Sequence, residues 1–523
     1  MRQQKQATVP AILLPLLMLL LIFENPGNFA QAQSGQASGQ QGAQANPLPL
    51  SGKSGQSGSV SVTQSPVPGT TTSVNTINPV VQVQGPFAGS ALSIAKMPFS
   101  GKLSLREALQ RGLGYNLGAT GLSQAVRQAR GQSRGVRSAL LPNLNGSISE
   151  TIQQINLRAL GIRVNSPVPG LTFPSIVGPF NFIDARARLS QTVADATAWN
   201  NYRASTEIVR ANEMQAKDAR DLVVLAVGAE YLGVIAAQAR VNSAHAQLDT
   251  AKALYEQTSQ KRAVGVAAQL DVNRSYVQVL TQQQRLISLQ NDLGKQKISL
   301  ARSIGLPATD QYEITDEIAF SPGAPLSLDD ALKQAFEKRA DLHAAQAQVR
   351  AGERTHSAAQ AERLPSLALN ADYGVIGTNP SQSHGTFSVT GTLRVPLWQG
   401  GRAEGDMEQA DAALSQRLAE LEDVKNQVEA DVRNAYSDLQ ASISQIGVAK
   451  TNLETSKQTL ELTRERFEVG VTDSVEVVQS QEALATAELD YINSVFANNL
   501  ARLSLARAVG SAADELQHFI TLP

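Results

Sequence analysis

Cysteine is absent from all 523 residues, which excludes disulfides, thiolate metal ligands, a cysteine nucleophile and a lipidated N-terminal cysteine together. Aromatic residues make up only 5%, little for a compact enzyme and ordinary for long Ala-, Gln- and Leu-rich helices. The five histidines, His245, His343, His356, His384 and His518, and the five methionines stand without ligand spacing, so neither a metal site nor a cofactor is expected. The formal charge is −1, without a basic block, which excludes the electrostatic footprint of a nucleic-acid binder. No phosphate-binding loop of the Walker type occurs, so any energy for work must come from a partner. Proline is missing between Pro179 and Pro307 and between Pro396 and Pro523, which permits two very long unbroken helices.

Long apolar runs are equally scarce. One, Val9 to Phe23, follows Arg2 and Lys5 and precedes the small-x-small site Ala30-Gln31-Ala32. Residues 1–32 therefore read as a signal peptide. The run is about 15 residues and contains Pro10 and Pro15, short of the ~20 a spanning helix needs. The mature chain is expected to be exported, and any membrane span to be β. Residues 33–100, rich in Gln, Gly, Ser and Pro, read as a disordered extension. Val80-Val81-Gln82-Val83 is its one candidate binding segment.

What is present is a duplication. Leu103-Ser104-Leu105 and Leu326-Ser327-Leu328 are offset by 223 residues, as are Leu141-Pro142-Asn143-Leu144 and Leu364-Pro365-Ser366-Leu367. Val264-Gly265-Val266 and Val469-Gly470-Val471 are offset by 205, so the first copy holds about 18 extra residues between these landmarks. The units are 101–310 and 311–511, with a tail at 512–523. A repeat this long is a duplicated structural unit, each completing the other's core.

Each unit opens on a helix. Ser104-x-x-Glu107 and Ser327-x-x-Asp330 have the form of capping boxes, at full strength in the first. The helical pattern continues to about Ala139 and Arg363, where Leu-Pro breaks it. Strands of period two follow, at about 144–157 and 181–193 and at 367–376 and 387–397. Ile183, Ala185, Ala187 and Leu189 alternate with Asp184, Arg186 and Arg188, and Asp372 and Arg394 stand on the polar faces of the second pair. The strand at 144–157 alternates poorly. Apolar on one side and polar on the other is the pattern of a barrel strand between lipid and a wet lumen, which Asp184, Arg186, Arg188, Asp372 and Arg394 would line. A half-buried strand of a soluble sheet reads the same way.

Coiled-coil helices follow at 197–262 and 270–304 and at 402–468 and 475–509, with a mostly three-and-four seam that includes Leu421, Val428, Val432, Ala435 and Leu439. The longest would measure ~100 Å. Gly265 and Gly470 mark the reversals, where positive φ is needed. The fold class is mainly α with a membrane β-barrel. Four strands per chain cannot close a barrel, and open edges are not tolerated in lipid, so several chains must pool them.

The duplicated openings, the Leu-Pro-x-Leu pairs, Pro396-Leu397-Trp398-Gln399-Gly400-Gly401-Arg402, and the turns Arg262 to Val272 and Arg466 to Val477 carry a resemblance. Over about residues 101–511 the chain resembles the TolC-type outer-membrane efflux protein family. The resemblance implies a homotrimer with a twelve-stranded barrel in the outer membrane and an α-helical tunnel across the periplasm. It implies a passive channel in a tripartite efflux or type I secretion system, partnered by a periplasmic adaptor and an inner-membrane pump or ATP-binding transporter. By the same resemblance Val264, Gly265, Val266, Val469, Gly470 and Val471 form the adaptor-contact tip. Asp271 and Glu476 match acidic gate positions, which also read as helix N-terminal carboxylates stabilised by the helix dipole. Gln479 stands at an often acidic position and Thr472 where some members carry a latching arginine, so a less tightly latched tip is expected. The alternative is a periplasmic coiled-coil scaffold, soluble without detergent. Serines and carboxylates occur on helix faces without a convergent histidine or cysteine, so no enzyme is expected.

Overall fold

In the first repeat, Leu105–Tyr115 (α1) and Leu117–Ser138 (α2) lead into strands Asn143–Asn156 (β4) and Ile176–Ala194 (β5), then Ala196–Ala263 (α3) and Gln269–Ser303 (α4). Ahead of them lie Val60–Pro66 (β1), Ile77–Val83 (β2) and the two-residue strand Lys102–Leu103 (β3). The second repeat runs Glu313–Ile314 (β6), Leu328–Lys338 (α5), Ala340–Ala361 (α6), Ser366–Gly377 (β7), His384–Arg394 (β8), Arg402–Glu468 (α7), Ser474–Ala508 (α8) and Ala512–Glu515 (α9). This computed structural model describes residues 60–66, 77–91, 99, 101–159, 161, 174–308, 312–316, 320, 326–516 and 519. The expected signal peptide, most of the extension, the core of the first hairpin loop, His518 and most of the tail lie outside the described residues.

The duplication is visible element by element. α5 and α6 repeat α1 and α2 at an offset of 223, and α8 repeats α4 at 205, both 35 residues long. α3 has 68 residues and α7 has 67, each ~100 Å at ~1.5 Å per residue. The strands join in one antiparallel sheet of order β4-β5-β7-β8. β3 and β6 pair in parallel, tying the starts of the two repeats together.

Four readings of the sequence need correction. The opening helix is two helices, because Asn116 interrupts it. Its buried side chain donates to the Phe87 carbonyl at 2.6 Å and accepts from the Gly118 N–H at 2.9 Å, capping α2. Secondly, neither capping box closes among the described residues, since no carboxylate reaches back to the cap's own N–H. Ser104 accepts from the Glu107 N–H at 3.3 Å, but the Glu107 carboxylate pairs with Arg111 at 3.1 Å; the Ser327 hydroxyl accepts from the Asp330 N–H at 3.2 Å and donates to the Asp330 carboxylate at 2.7 Å. Thirdly, the segment read as a disordered extension contains the β1–β2 hairpin, and beyond it Phe87 is buried at 3% exposure. A few apolar residues suffice: Val81 packs on the central core and Phe87 on the α1–α2 junction. Fourthly, β5 starts five residues earlier than 181. Pro179, ahead of the expected strand start, sits in the register shift between the Gln153–Phe180 and Ile155–Val177 pairs, where a missing N–H is tolerated.

The core is shared between repeats. Val224, Leu232 and Ala236 of α3 pack with Leu342 of α6, Val428, Val432 and Leu439 of α7, and Leu503 of α8. An 18-residue stretch of α3 is apolar enough to cross a membrane, but 72% of it is buried in this core. Buried beside it, Glu230 accepts from Ser299 at 2.8 Å and from Ser303, and burial raises its pKa.

Candidate functional site

Register decides what each face of the four-stranded sheet carries. Arg188 lies opposite Asp372, Arg186 opposite Gly374, and Arg394 opposite Ser366. Asp184, Arg186, Arg188, Asp372 and Arg394 therefore share one face. Arg186 is the hub: it bonds Asp372 on the next strand, Asp184 at 3.2 Å and Thr386 at 3.1 Å. Arg188 and Arg394 are exposed. β4 alternates better than it reads, since Asn143, Asn145, Ser147, Ser149 and Thr151 join this polar face through their pairing with β5.

The opposite face is apolar and open to solvent. Ile148 is 82% exposed and Phe387 77%, with Phe387 directly opposite Tyr373. From Gly385 to Leu393 the band spans nine residues of β8, eight steps or ~27 Å at ~3.4 Å per residue, against ~25 Å for the outward apolar band of a membrane barrel. Glu150 is the one carboxylate on this face. It lies level with Gly377, where β7 ends, and accepts from Asn181 at 3.2 Å, so it marks the rim of the band. Trp398, 89% exposed, follows β8 at the other rim, the position of an interfacial aromatic belt.

At the far ends of the long helices the chain reverses twice. Gly265 and Gly470 hold φ of 81° and 79°, the left-handed region that side chains resist. Val264, Val266, Val469 and Val471 flank them, all at least 67% exposed. Asp271 and Glu476 each occupy the third position of the returning helix, near its positive end. Their contacts differ. Ser474 donates to Asp271 at 2.9 Å, which joins the two hairpins, and Arg274 lies 3.8 Å from the same carboxylate. Glu476 is held within its own hairpin, by Thr472 and by Arg466 at 3.7 Å. Gln479 is exposed and has no hydrogen bond among the described residues.

Besides Ser474, sequence reasoning missed three tip residues. Asp473 caps α8 by accepting from the Val475 and Glu476 N–H groups, at 3.0 and 3.3 Å. An Asp immediately before a helix is a signal that was there to read. Lys261 donates to the Phe467 carbonyl at 2.9 Å and stacks 3.9 Å over its ring, a second tie between hairpins. With Phe467, Leu254, Leu460 and Val477 form a small core behind the tip. No sequence pattern pairs residues 206 apart.

A sheet with one apolar and one ionic face, continued into two helical hairpins ~100 Å long, defines the class of outer-membrane channels with a helical extension. The chain belongs to the family of outer membrane efflux proteins, whose match spans residues 122–306 and 331–511. It is 24% identical over 391 residues to the outer membrane protein TolC of Vibrio cholerae serotype O1, covering 72% of this chain and 86% of that protein. With the outer membrane protein OprJ of Pseudomonas aeruginosa it shares 26% identity over 402 residues, covering 75% and 80%. In fold it is similar to the Campylobacter jejuni CmeC outer membrane channel, with a TM-score of 0.69 at 16% identity over 82% of this chain and 92% of that one. It is thus an outer-membrane efflux channel protein.

Proposed function

We propose that three copies pool their strands into a closed twelve-stranded barrel in the outer membrane and their helices into one tunnel, through which substrates are conducted passively. The observation that carries this reading is the open sheet: β4 and β8 are both free edges on a sheet whose exposed face is apolar, and lipid tolerates neither free edges nor a partial barrel. Eight strands from two chains would leave an interior filled by side chains, whereas twelve leave a passage. The helices support the same reading. Leu270, Val277, Ile287 and Ile298 of α4 and Val448 and Leu462 of α7 are all at least half exposed. α4 and α7 are the outer helices of the lower wall, since α4 packs on α3, α3 on α8 and α8 on α7. Their bare apolar positions suit a neighbouring copy.

In this reading Asp184, Arg186, Arg188, Asp372 and Arg394 line the lumen of the barrel. The valine-flanked turns at Gly265 and Gly470 meet the helical hairpins of a periplasmic adaptor, which links the tunnel to an inner-membrane pump or ATP-binding transporter that supplies the energy. Asp271 and Glu476 form the constriction, closed by the Ser474–Asp271 bond and the Lys261–Phe467 contact and not by an arginine latch at Thr472. Negative-stain imaging of detergent-extracted protein should give cylinders of at least ~100 Å with threefold end views. An elongated particle that stays soluble and monomeric without detergent would overturn the proposal in favour of a periplasmic scaffold.

A further inference from the structure

The polar face of the four-stranded sheet is not neutral. Its two acids, Asp184 and Asp372, are both held by Arg186. Arg188 lies in register with Asp372 but makes no bond to it, and Arg394 lies in register with Ser366. Arg188 and Arg394 are exposed and have no hydrogen bond or ion pair among the described residues. Three arginines against two aspartates leave one net positive charge on this face of each copy.

Closing the sheet does not neutralise it. In a barrel of pooled strands, β8 of one copy borders β4 of the next. On the polar face β4 offers Asn143, Asn145, Ser147, Ser149 and Thr151, and its one carboxylate, Glu150, stands on the apolar face. The hairpin loops, residues 157–175 and 378–383, contain Arg158 and Arg163 and no acid. At the helix end of the sheet the carboxylates are already engaged: Asp195 accepts from the Ala198 N–H at 2.9 Å, Glu404 accepts from Arg363 at 2.9 Å, and Arg402 lies 3.6 Å from Glu362. No acid of the sheet or its loops is therefore free on this face to pair with Arg188 or Arg394.

The two arginines stand at different depths. Arg394 ends β8, next to the helices, and Arg188 is level with Asp372, six residues along β7 from Ser366, or ~20 Å at ~3.4 Å per residue. β4 shows that hydroxyls and amides suffice to wet this face, so solvation alone does not call for arginine. The guanidinium fork matches the oxygens of carboxylates and phosphates, and rings of basic side chains are how pores select anions.

We infer that Arg188 and Arg394 form two successive rings in the barrel that bind the anionic groups, carboxylate or phosphate, of passing solutes. The barrel then favours anions, although the constriction proposed at the tip is acidic. The inference rests on the twelve-stranded reading and gives that lumen a substrate chemistry.

The test uses the full chain in planar bilayers, inserted from one side so that the barrel mouth faces a known chamber. Inositol hexakisphosphate added to that chamber should block the current, less strongly as salt screens the charges. Arg188→Gln with Arg394→Gln should raise the half-blocking concentration at least about tenfold, because the field that gathers the anion is removed. Arg188→Lys with Arg394→Lys, which keeps the charge, should retain most of the block. Since neither side chain bonds to a described residue, all variants should form trimers as wild type does, and either single glutamine variant reads a smaller shift should the double one fail to insert. Wild-type channels that the probe does not block, or a block that the glutamine variants leave unchanged, overturn the inference. So does a block lost only with Arg158→Gln and Arg163→Gln, which puts the anion at the outer mouth, and so does equal block by spermine from the same chamber. Each of these outcomes leaves the barrel standing, whereas a wild type that forms neither trimers nor channels sinks the barrel reading itself.

Discussion

Asp271 and Glu476 occupy the same position in their repeats and do different work. Asp271 accepts from Ser474 of the other hairpin, while Glu476 is engaged only by Thr472 and Arg466 of its own. Removing Asp271 should therefore loosen the tie between hairpins, and removing Glu476 should change only the local charge. A hydrogen bond to a charged group contributes about 1.5 kcal/mol, roughly tenfold in an equilibrium constant. In planar-bilayer recordings, Asp271→Ala should increase the open fraction several-fold. Glu476→Ala should lower cation preference with little change in that fraction. Identical behaviour of the two variants, or none, would contradict these roles. The acidic positions and glycines of the tip were legible because spacing and type carry them. Ser474, Lys261 and Phe467 were not, because their contacts join residues about 200 apart through helix docking.

At the scale of elements, proline-free stretches and period-two runs placed the long helices and strands to within a residue or two, apart from the start of β5 and from β8, which runs 384–394 and not 387–397 because it pairs along β7 from Ile376 to Ser366. The exceptions share a cause. Asn116, Pro179, Val81 and Phe87 each owe their conformation to a tertiary partner: a carbonyl, a bulge or the face of another helix. Local pattern is silent about such partners. The exposed apolar positions of α4 carry an element-level prediction. Val277 is 61% exposed in the protomer, so Val277→Asp should alter the folding of one chain by no more than about 0.5 kcal/mol. If α4 meets α7 of another copy, the same change buries a carboxylate in an apolar seam. Far-UV circular dichroism should stay as in wild type while native mass spectrometry loses the trimer. A retained trimer would show that this seam faces solvent.

The whole molecule stores carboxylates in its helical core. Burial raises the pKa of Asp218 to about 6, although Arg507 lies 2.5 Å away and opposes it, and burial likewise raises Asp221 and Glu230. An acid with a raised folded pKa holds its proton more tightly when folded, so stability declines as pH climbs from the unfolded value, about 4, through the folded one. Asp341 has the opposite sign, since Arg339 outweighs its burial and holds its pKa low, but its window lies below the usual aspartate range. The extracted protein should therefore melt at a lower temperature at pH 7.5 than at pH 5. Glu230→Gln, which preserves partners for Ser299 and Ser303, should narrow that gap. A flat profile between these values would refute the argument.

The near-equal lengths of α3 and α7, with α4 and α8 identical, make the protein a ruler with two scales that must agree. Dropping one heptad shortens a helix by ~10 Å, and doing so in one repeat would leave every second tip out of the plane that a partner meets. Length can therefore drift only when both copies change together and by whole heptads, so the duplication that built the molecule also fixes how far it reaches.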